Sequence, residues 1–133
     1  MRPISSSITK GIQLRTRLVC ADNSGAKVLS VISVLNYKGV RRRLPRGGVG
    51  DIVVCSVIRG KEKLRHTVVH AVIVRQKKEF RRADGTRVKF ADNAAVLVNQ
   101  KTFEPVGSEI RSVIAKEVVE RFSPIGKISS IVV

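Results

Sequence analysis

At 133 residues the chain has the length of one domain, with enough interior to bury a core without staples. Its 26 Lys and Arg face 10 Asp and Glu, a formal charge of +16, so a polyanion is the expected counter-charge, nucleic acid foremost. No run reaches the roughly 18 to 20 apolar residues of a membrane span and no apolar signal segment opens the chain, so a membrane partner is not expected and the compartment reads as cytosolic. Cys20 and Cys55 lack the paired spacing of a zinc or redox motif and read as buried, reduced thiols.

Met1 to Lys10 reads as a serine-rich arm. Ile12 to Cys20 alternates, with Ile12, Leu14, Thr16 and Leu18 on one face and Gln13, Arg15 and Arg17 on the other, which predicts a half-buried strand. Asp22-Asn23-Ser24-Gly25 supplies a turn, and Ala26 to Leu35 returns as a second strand. Residues 36–50, NYKGVRRRLPRGGVG, hold four glycines, a proline and five basic side chains; this composition predicts a projecting loop or irregular hairpin tipped by Arg41, Arg42, Arg43 and Arg46, with Gly47-Gly48 allowing a close backbone approach. Asp51 to Ile58 is a third strand, Arg59 to Arg65 a charged connection with room for one helical turn, and Val68 to Val74 a buried strand whose core character stops at Arg75. Asp84-Gly85, between Phe80-Arg81-Arg82 and Arg87-Val88-Lys89-Phe90, predicts a basic hairpin with a type I′ turn. Ala94 to Asn99 is a further strand.

Five or six short strands without intervening helices imply a mainly β protein built on a small closed barrel, since closure removes pairing edges. Beyond Pro105, Ile110, Val113, Ile114, Val118 and Phe122 recur at three- and four-residue spacing, with Lys116, Glu117, Glu120 and Arg121 elsewhere on the wheel. That spacing predicts an amphipathic helix ended by Ser123-Pro124, after which Ile128 to Val133 packs on the barrel or on a partner. The organisation expected is one domain over 1–133: an arm at 1–10, a barrel at 11–104 with basic loops at 36–50 and 75–90, and a helical segment at 105–133.

Charge is distributed unevenly along this plan: residues 1–37 hold five basic and one acidic side chain, 38–89 sixteen and four, and 90–133 five and five. The middle of the chain should therefore meet the polyanion and the neutral C-terminal third should do something else. Candidate RNA contacts in the first basic loop are Lys38, Arg41, Arg42, Arg43 and Arg46. Arg59, Lys61 and Lys63 follow in the charged connection, then Arg75, Lys77, Lys78, Arg81, Arg82, Arg87 and Lys89 in the ribbon. A solubility surface would mix its signs. With Tyr37, Phe80, Phe90, Phe103 and Phe122 as the aromatics and no Trp, an aromatic platform for unpaired bases is poorly supplied, which favours phosphate and shape contacts with folded RNA or duplex.

Chemistry finds little support. Asp51, Asp84, Asp92 and Glu104 are scattered, Asp84 and Asp92 reading as turn formers and Asp51 as a strand-start residue. His66 and His70 lack a third ligand, and Gly47, Gly48 and Gly50 lack the ending and the flanking elements of a phosphate loop. An enzyme is not expected, nor any cofactor; a metal-dependent nuclease ranks third, behind a free-standing nucleic-acid or anionic-membrane binding module acting outside any permanent assembly.

The leading reading comes from motifs. Thr16 to Lys27, TRLVCADNSGAK, resembles the N-terminal signature of the large-subunit ribosomal protein family L-fourteen, and Ala71 to Leu97 resembles its central pattern through Ala71-Val72-Ile73-Val74, Asp84-Gly85, Phe90, Asn93, Val96 and Leu97. The segments NYKGVRRRLPRGGVGD and VRQKKEFRRADG resemble the archaeal and eukaryotic branch. The resemblance implies a five-stranded barrel with a projecting ribbon and small C-terminal helices, binding large-subunit ribosomal RNA and joining a bridge to small-subunit RNA. It also implies a neighbouring ribosomal protein and the anti-association initiation factor six near the C-terminal side, with Ile110, Val113, Ile114, Val118 and Phe122 as the partner face, and no homo-oligomer. Where the family carries Gly-Pro-Val at the start of its first C-terminal helix, this chain has Ser112-Val113-Ile114, and Ser112 is expected to cap the helix instead.

Overall fold

Alternation of apolar and polar residues becomes alternation of burial in the first strands, unbroken apolar runs are buried on both sides, and hydrogen bonds between the extended stretches close a ring. The computed structural model describes residues 1–133. In chain order its elements are β1 (Ile12–Gln13), β2 (Arg17–Cys20), β3 (Ala26–Val34), β4 (Arg46–Gly47), β5 (Ile52–Gly60), β6 (Val68–Arg75), β7 (Phe80–Arg81), β8 (Arg87–Val88), β9 (Ala94–Val98), β10 (Ile110–Ile114), α1 (Lys116–Arg121), α2 (Ser123–Ile128) and β11 (Ser129–Val132). Strands β2, β3, β5, β6 and β9 form the closed barrel. Neighbours run antiparallel except at the seam, where β9 lies parallel to β2 through Val19↔Ala94 and Cys20↔Ala95.

All five residues of β9 are buried, as its unbroken apolar run AAVLV requires. The chain beyond β9 folds back over it, Val106 N donating to Leu97 O at 3.0 Å. Leu18, Leu29, Val53, Cys55, Val57, Val72, Ile73 and Val96 are among the residues that fill the core. The first predicted strand is split into β1 and β2 at Arg15, which adopts φ 63°. The split keeps the expected faces: Ile12 and Leu18 are buried, Gln13 and Arg17 exposed.

Register sorts the connections onto two ends of the barrel. Ala26 pairs with Gly60 and His70 with Val98, so the 21–25 turn, the 61–67 connection and the chain after β9 share one end. Val34 pairs with Val53 and Arg75 with Ala94, so residues 35–51 and 76–93 share the other.

Periodicity alone places one helix over Ile110 to Phe122, whereas the C-terminal third holds a strand followed by two short helices, α1 and α2, as the family resemblance implies. Ile110–Ile114 is a strand, β10, paired parallel with β11 through Ile110↔Ser129, Val113↔Ile131 and Ile114↔Val132. Residues four apart share a face at a period of 3.6 and also at a period of two, so Ile110 and Ile114 satisfied the helical pattern while sitting on the buried side of a strand. Ser112 consequently caps nothing: Ala115 is the N-cap of α1, and the Ser112 hydroxyl is buried without a protein partner. The helix ends before Ser123-Pro124 as expected, α1 being capped at Phe122, and the same pair opens α2, with proline in the first turn where its missing N–H has no partner to lose. Glu117, expected on a polar face, is fully buried.

Burial pushes the Cys55 thiol up to about 12. Cys20 rises to about 12 through burial first and then through its hydrogen bond to Asp22, with Sγ 2.9 Å from Oδ1. At pH 8 the reactive thiolate is then on the order of one part in ten thousand, and we predict that iodoacetamide labels neither cysteine in the native protein but both once denatured. Because the folded values lie above the unsupported value of 9.0, the thiols' contribution to stability is full below pH 9 and is lost as pH rises toward about 12. Native labelling as fast as that of the denatured chain contradicts this burial.

Candidate nucleic-acid interface

Of the fifteen cations expected to meet RNA, thirteen are exposed and two are not, and the difference lies in what each one touches. Lys38, Arg41, Arg42, Arg43 and Arg46 lie exposed along the first basic segment, and Lys77, Lys78, Arg81, Arg87 and Lys89 along the ribbon. These ten share the barrel end from which residues 35–51 and 76–93 project. Arg59, Lys61 and Lys63 are also exposed but belong to the opposite end, beside the 21–25 turn, where Lys61 N donates to Gly25 O at 3.0 Å. The three basic clusters therefore do not form one surface.

Arg75 is 8% exposed. Its Nε and Nη2 reach the two carboxylate oxygens of Asp92 at 2.8 and 3.0 Å, and Nη1 donates to Val113 O at 2.7 Å. A guanidinium spent on a fork-shaped contact with a carboxylate and on a strand carbonyl is not available to a phosphate. Asp92 is accordingly the partner of Arg75 and not merely a turn former. Burial also continues past Arg75, through Gln76, and resumes at Phe80.

Arg82 is the second exception. Its Nε lies 2.7 Å from Glu117 Oε1 and its Nη2 3.3 Å from Oε2, while Nη2 also donates to Val133 O at 2.7 Å. Ser6 Oγ donates to the same Glu117 Oε1 at 3.1 Å, so one buried carboxylate ties the arm, the ribbon and α1 together. The arm is docked elsewhere too: Ser7 bridges to Arg81, and Lys10 pairs with Asp51 at 3.4 Å. Asp51 also accepts from Gly48 N at 2.9 Å and faces Arg121 at 3.6 Å, so it braces a loop as well as starting a strand.

Gln76, which no charge or motif singled out, roots both cationic segments. Fully buried, it accepts from Val49 N at 3.1 Å through Oε1 and donates to Thr9 O at 2.8 Å and Lys78 O at 2.9 Å through Nε2. The neighbouring Gly48 is the close approach expected of that pair of glycines: a Cβ there would lie 2.8 Å from Ile8 and 3.1 Å from Gln76 Oε1. A hydrophobic run followed by Arg-Gln gives no hint of such a role, because glutamine is usually a surface residue.

The ribbon proper is short, with Phe80↔Val88 and Arg81↔Arg87 in register. Arg82 N donates to Thr86 O and Gly85 N to Arg82 O, leaving Ala83-Asp84-Gly85 as a three-residue loop. Gly85 alone carries positive φ, 88°, so the turn is not type I′ but a right-handed turn completed by one left-handed glycine. Asp84 accepts from Thr86 Oγ1 at 2.7 Å and Thr86 N at 3.0 Å, and these two bonds hold its carboxyl below the ordinary carboxylate range. Arg87 pairs with Glu79 at 2.9 Å while remaining 64% exposed, an arrangement that water and a polyanion can both compete with.

The proposed partner face is corrected by burial. Ile110, Ile114, Val118 and Phe122 are core residues and Val113 is half-buried within the β10 ladder, so they support the C-terminal surface without forming it. The large apolar side chains exposed in residues 105–133 are Val106, Ile131, Val132 and Val133. No helix is long and apolar enough to cross a membrane.

The sequence that builds this cationic barrel has relatives. The sequence model of the family described as Ribosomal protein L14p/L23e matches residues 11–133. The chain belongs to that family. Among its relatives, the large ribosomal subunit protein uL14 of Methanococcus maripaludis is 51% identical over 132 residues, covering 99% of each chain. That of Methanocella arvoryzae is 47% identical over 133 residues, covering all of both, and that of Methanococcus vannielii is 49% identical over 132. Membership of the L14p/L23e family makes the protein a structural component of the ribosome and not an enzyme, and the archaeal relatives agree with the branch that its loops resemble.

Replacing Arg82 with Met removes the ion-pair partner of the fully buried Glu117 carboxyl group, and we predict a loss of about 3 to 5 kcal/mol in denaturant unfolding. The double substitution Arg82→Met/Glu117→Leu should recover most of that loss, since apolar replacement of both partners removes the uncompensated charge. A single variant within about 0.5 kcal/mol of the parent, the range of ordinary surface substitutions, refutes this role.

Proposed function

We propose that the protein is a constituent of the large ribosomal subunit that neutralises ribosomal RNA phosphates with the cationic end of its barrel and helps form a bridge to small-subunit RNA. The observation that carries this reading is the concentration of ten exposed cations in residues 36–50 and 76–90, among which Glu79 and Asp84 are the acids. Like charges held together on a rigid base repel one another, and a phosphate backbone relieves that repulsion while releasing its own counterions. Rigidity here comes from Gln76, Asp51 and the Arg82 to Glu117 pair, which fix the roots of both segments before any RNA arrives. The exposed residues Ile131 and Val132 of β11, with Val133 after it, are the part of the C-terminal third that a neighbouring ribosomal protein, or the anti-association initiation factor six, would cover.

Arg59, Lys61 and Lys63 would meet a separate stretch of RNA, being at the far end of the barrel. Serine at Arg41, Arg42, Arg43 and Arg46, or at Arg81, Arg87 and Lys89, should flatten the dependence of log affinity on log salt by roughly 0.7 to 0.9 per lost phosphate contact. An unchanged slope rejects those segments as the contact surface. In sucrose gradients of cell lysate, the protein should travel with the large subunit after a moderate salt wash. Recovery at the top of the gradient supports instead a free-standing binding module.

A further inference from the structure

The first basic segment does more than display charge. Arg42, Arg43, Leu44, Arg46 and Gln13 line an open cleft of about 590 Å³, within the range of sites that hold a small organic ligand. Its floor is the β1–β4 ladder, where Gln13 lies opposite Arg46. Its wall is set by a turn in which Arg43 N donates to Val40 O at 3.1 Å and Arg42 takes φ 66°, a left-handed conformation that costs energy for a residue with a side chain. None of the three guanidinium groups is paired with a carboxylate of the chain, and the Gln13 side-chain amide makes no hydrogen bond within it. Leu44, 63% exposed, is the one large apolar side chain in the cleft.

An isolated exposed leucine needs no explanation. Phosphate binding alone can use a side-chain amide but has no use for an aliphatic wall. Building on the RNA-binding reading above, we propose that this cleft receives a single unpaired nucleotide of the RNA. The guanidinium groups take its phosphate and offer a flat face to its base, as arginine planes do where aromatic rings are absent. Leu44 covers the apolar face of the base. Gln13 presents a donor and an acceptor side by side, the pair that matches the N6 and N7 edge of adenine. The shortage of aromatic residues therefore does not bar base recognition at this position.

The test compares two RNA hairpins closed by the same tetraloop, one with a fully paired stem and one with a single adenosine bulged from that stem, by fluorescence anisotropy against the 133-residue chain. The bulged hairpin should bind about tenfold tighter, the size of effect that stacking of one base supplies. Leu44→Ser and Gln13→Ala should each reduce that preference at least threefold while leaving the salt slope unchanged, and because both side chains are exposed the variants should melt with the parent. Arg81→Ser, away from the cleft, should weaken both hairpins equally. Salt-dependent binding with no preference for the bulge, or a preference that survives both substitutions, overturns the cleft assignment alone. Absence of salt-dependent binding to either hairpin overturns the RNA-binding reading and this inference with it.

Discussion

Closure of the five-strand ring is the constraint on which the rest of the molecule depends. Once β9 lies against β2 through Val19↔Ala94 and Cys20↔Ala95, every barrel strand has two neighbours. The register then leaves no freedom about which connections share an end. A barrel of this size is filled by its own side chains, so recognition falls to its outer surface and to the chain leaving its two rims. One rim carries the 36–50 and 76–90 segments together, and their like charges are held close because the ladder places them so. Repulsion that would spread two free basic peptides apart is opposed here by strand pairing.

A second level of organisation separates cations that hold the structure from cations that remain available. Arg75 and Arg82 are chemically no different from Arg81 or Arg43, yet each is enclosed by a carboxylate and a backbone carbonyl. Desolvating a guanidinium is tolerable only when such partners replace its water. The chain spends two arginines and the neutral Gln76 on anchoring the arm, both basic segments and the C-terminal strands, and leaves the remaining cations of that rim in solvent. Glu117 is the acidic counterpart of this arrangement, buried in α1 where it meets two partners from distant parts of the chain, Ser6 of the arm and Arg82 of the ribbon.

The barrel was legible in the sequence because its signal is local. Ile12 to Leu18 alternates, Val68 to Val74 reads as a buried strand and is one from Ala71 onward, Val68 itself being exposed, and the Asp and Gly clusters stand where the backbone must reverse. The exposed cations were legible for the same reason, since a long charged side chain stays in water unless something specific removes it. What misled was ambiguity of period. Ile110, Ile114, Val118 and Phe122 fit one helical stripe, but the first pair belongs to a strand and the second to the α1 region, and a spacing of four cannot tell these apart. The turn at Asp84-Gly85 was right in place and wrong in kind, because Asp-Gly serves both the two-residue and the three-residue loop.

By itself, then, the sequence determined the class of fold, the run of strands, the sign and location of the charge along the chain, and the family. Those follow from composition, period and motif, all of which are properties of neighbouring residues. Only the tertiary structure decided that the basic clusters fall on two ends, that Arg75 and Arg82 are anchors, and that the partner face predicted at Ile110 to Phe122 is interior. Each of these depends on residues brought together from far along the chain, such as Ser6 with Glu117 or Arg75 with Val113, and a partner more than thirty residues away leaves no mark on the local pattern that would reveal it.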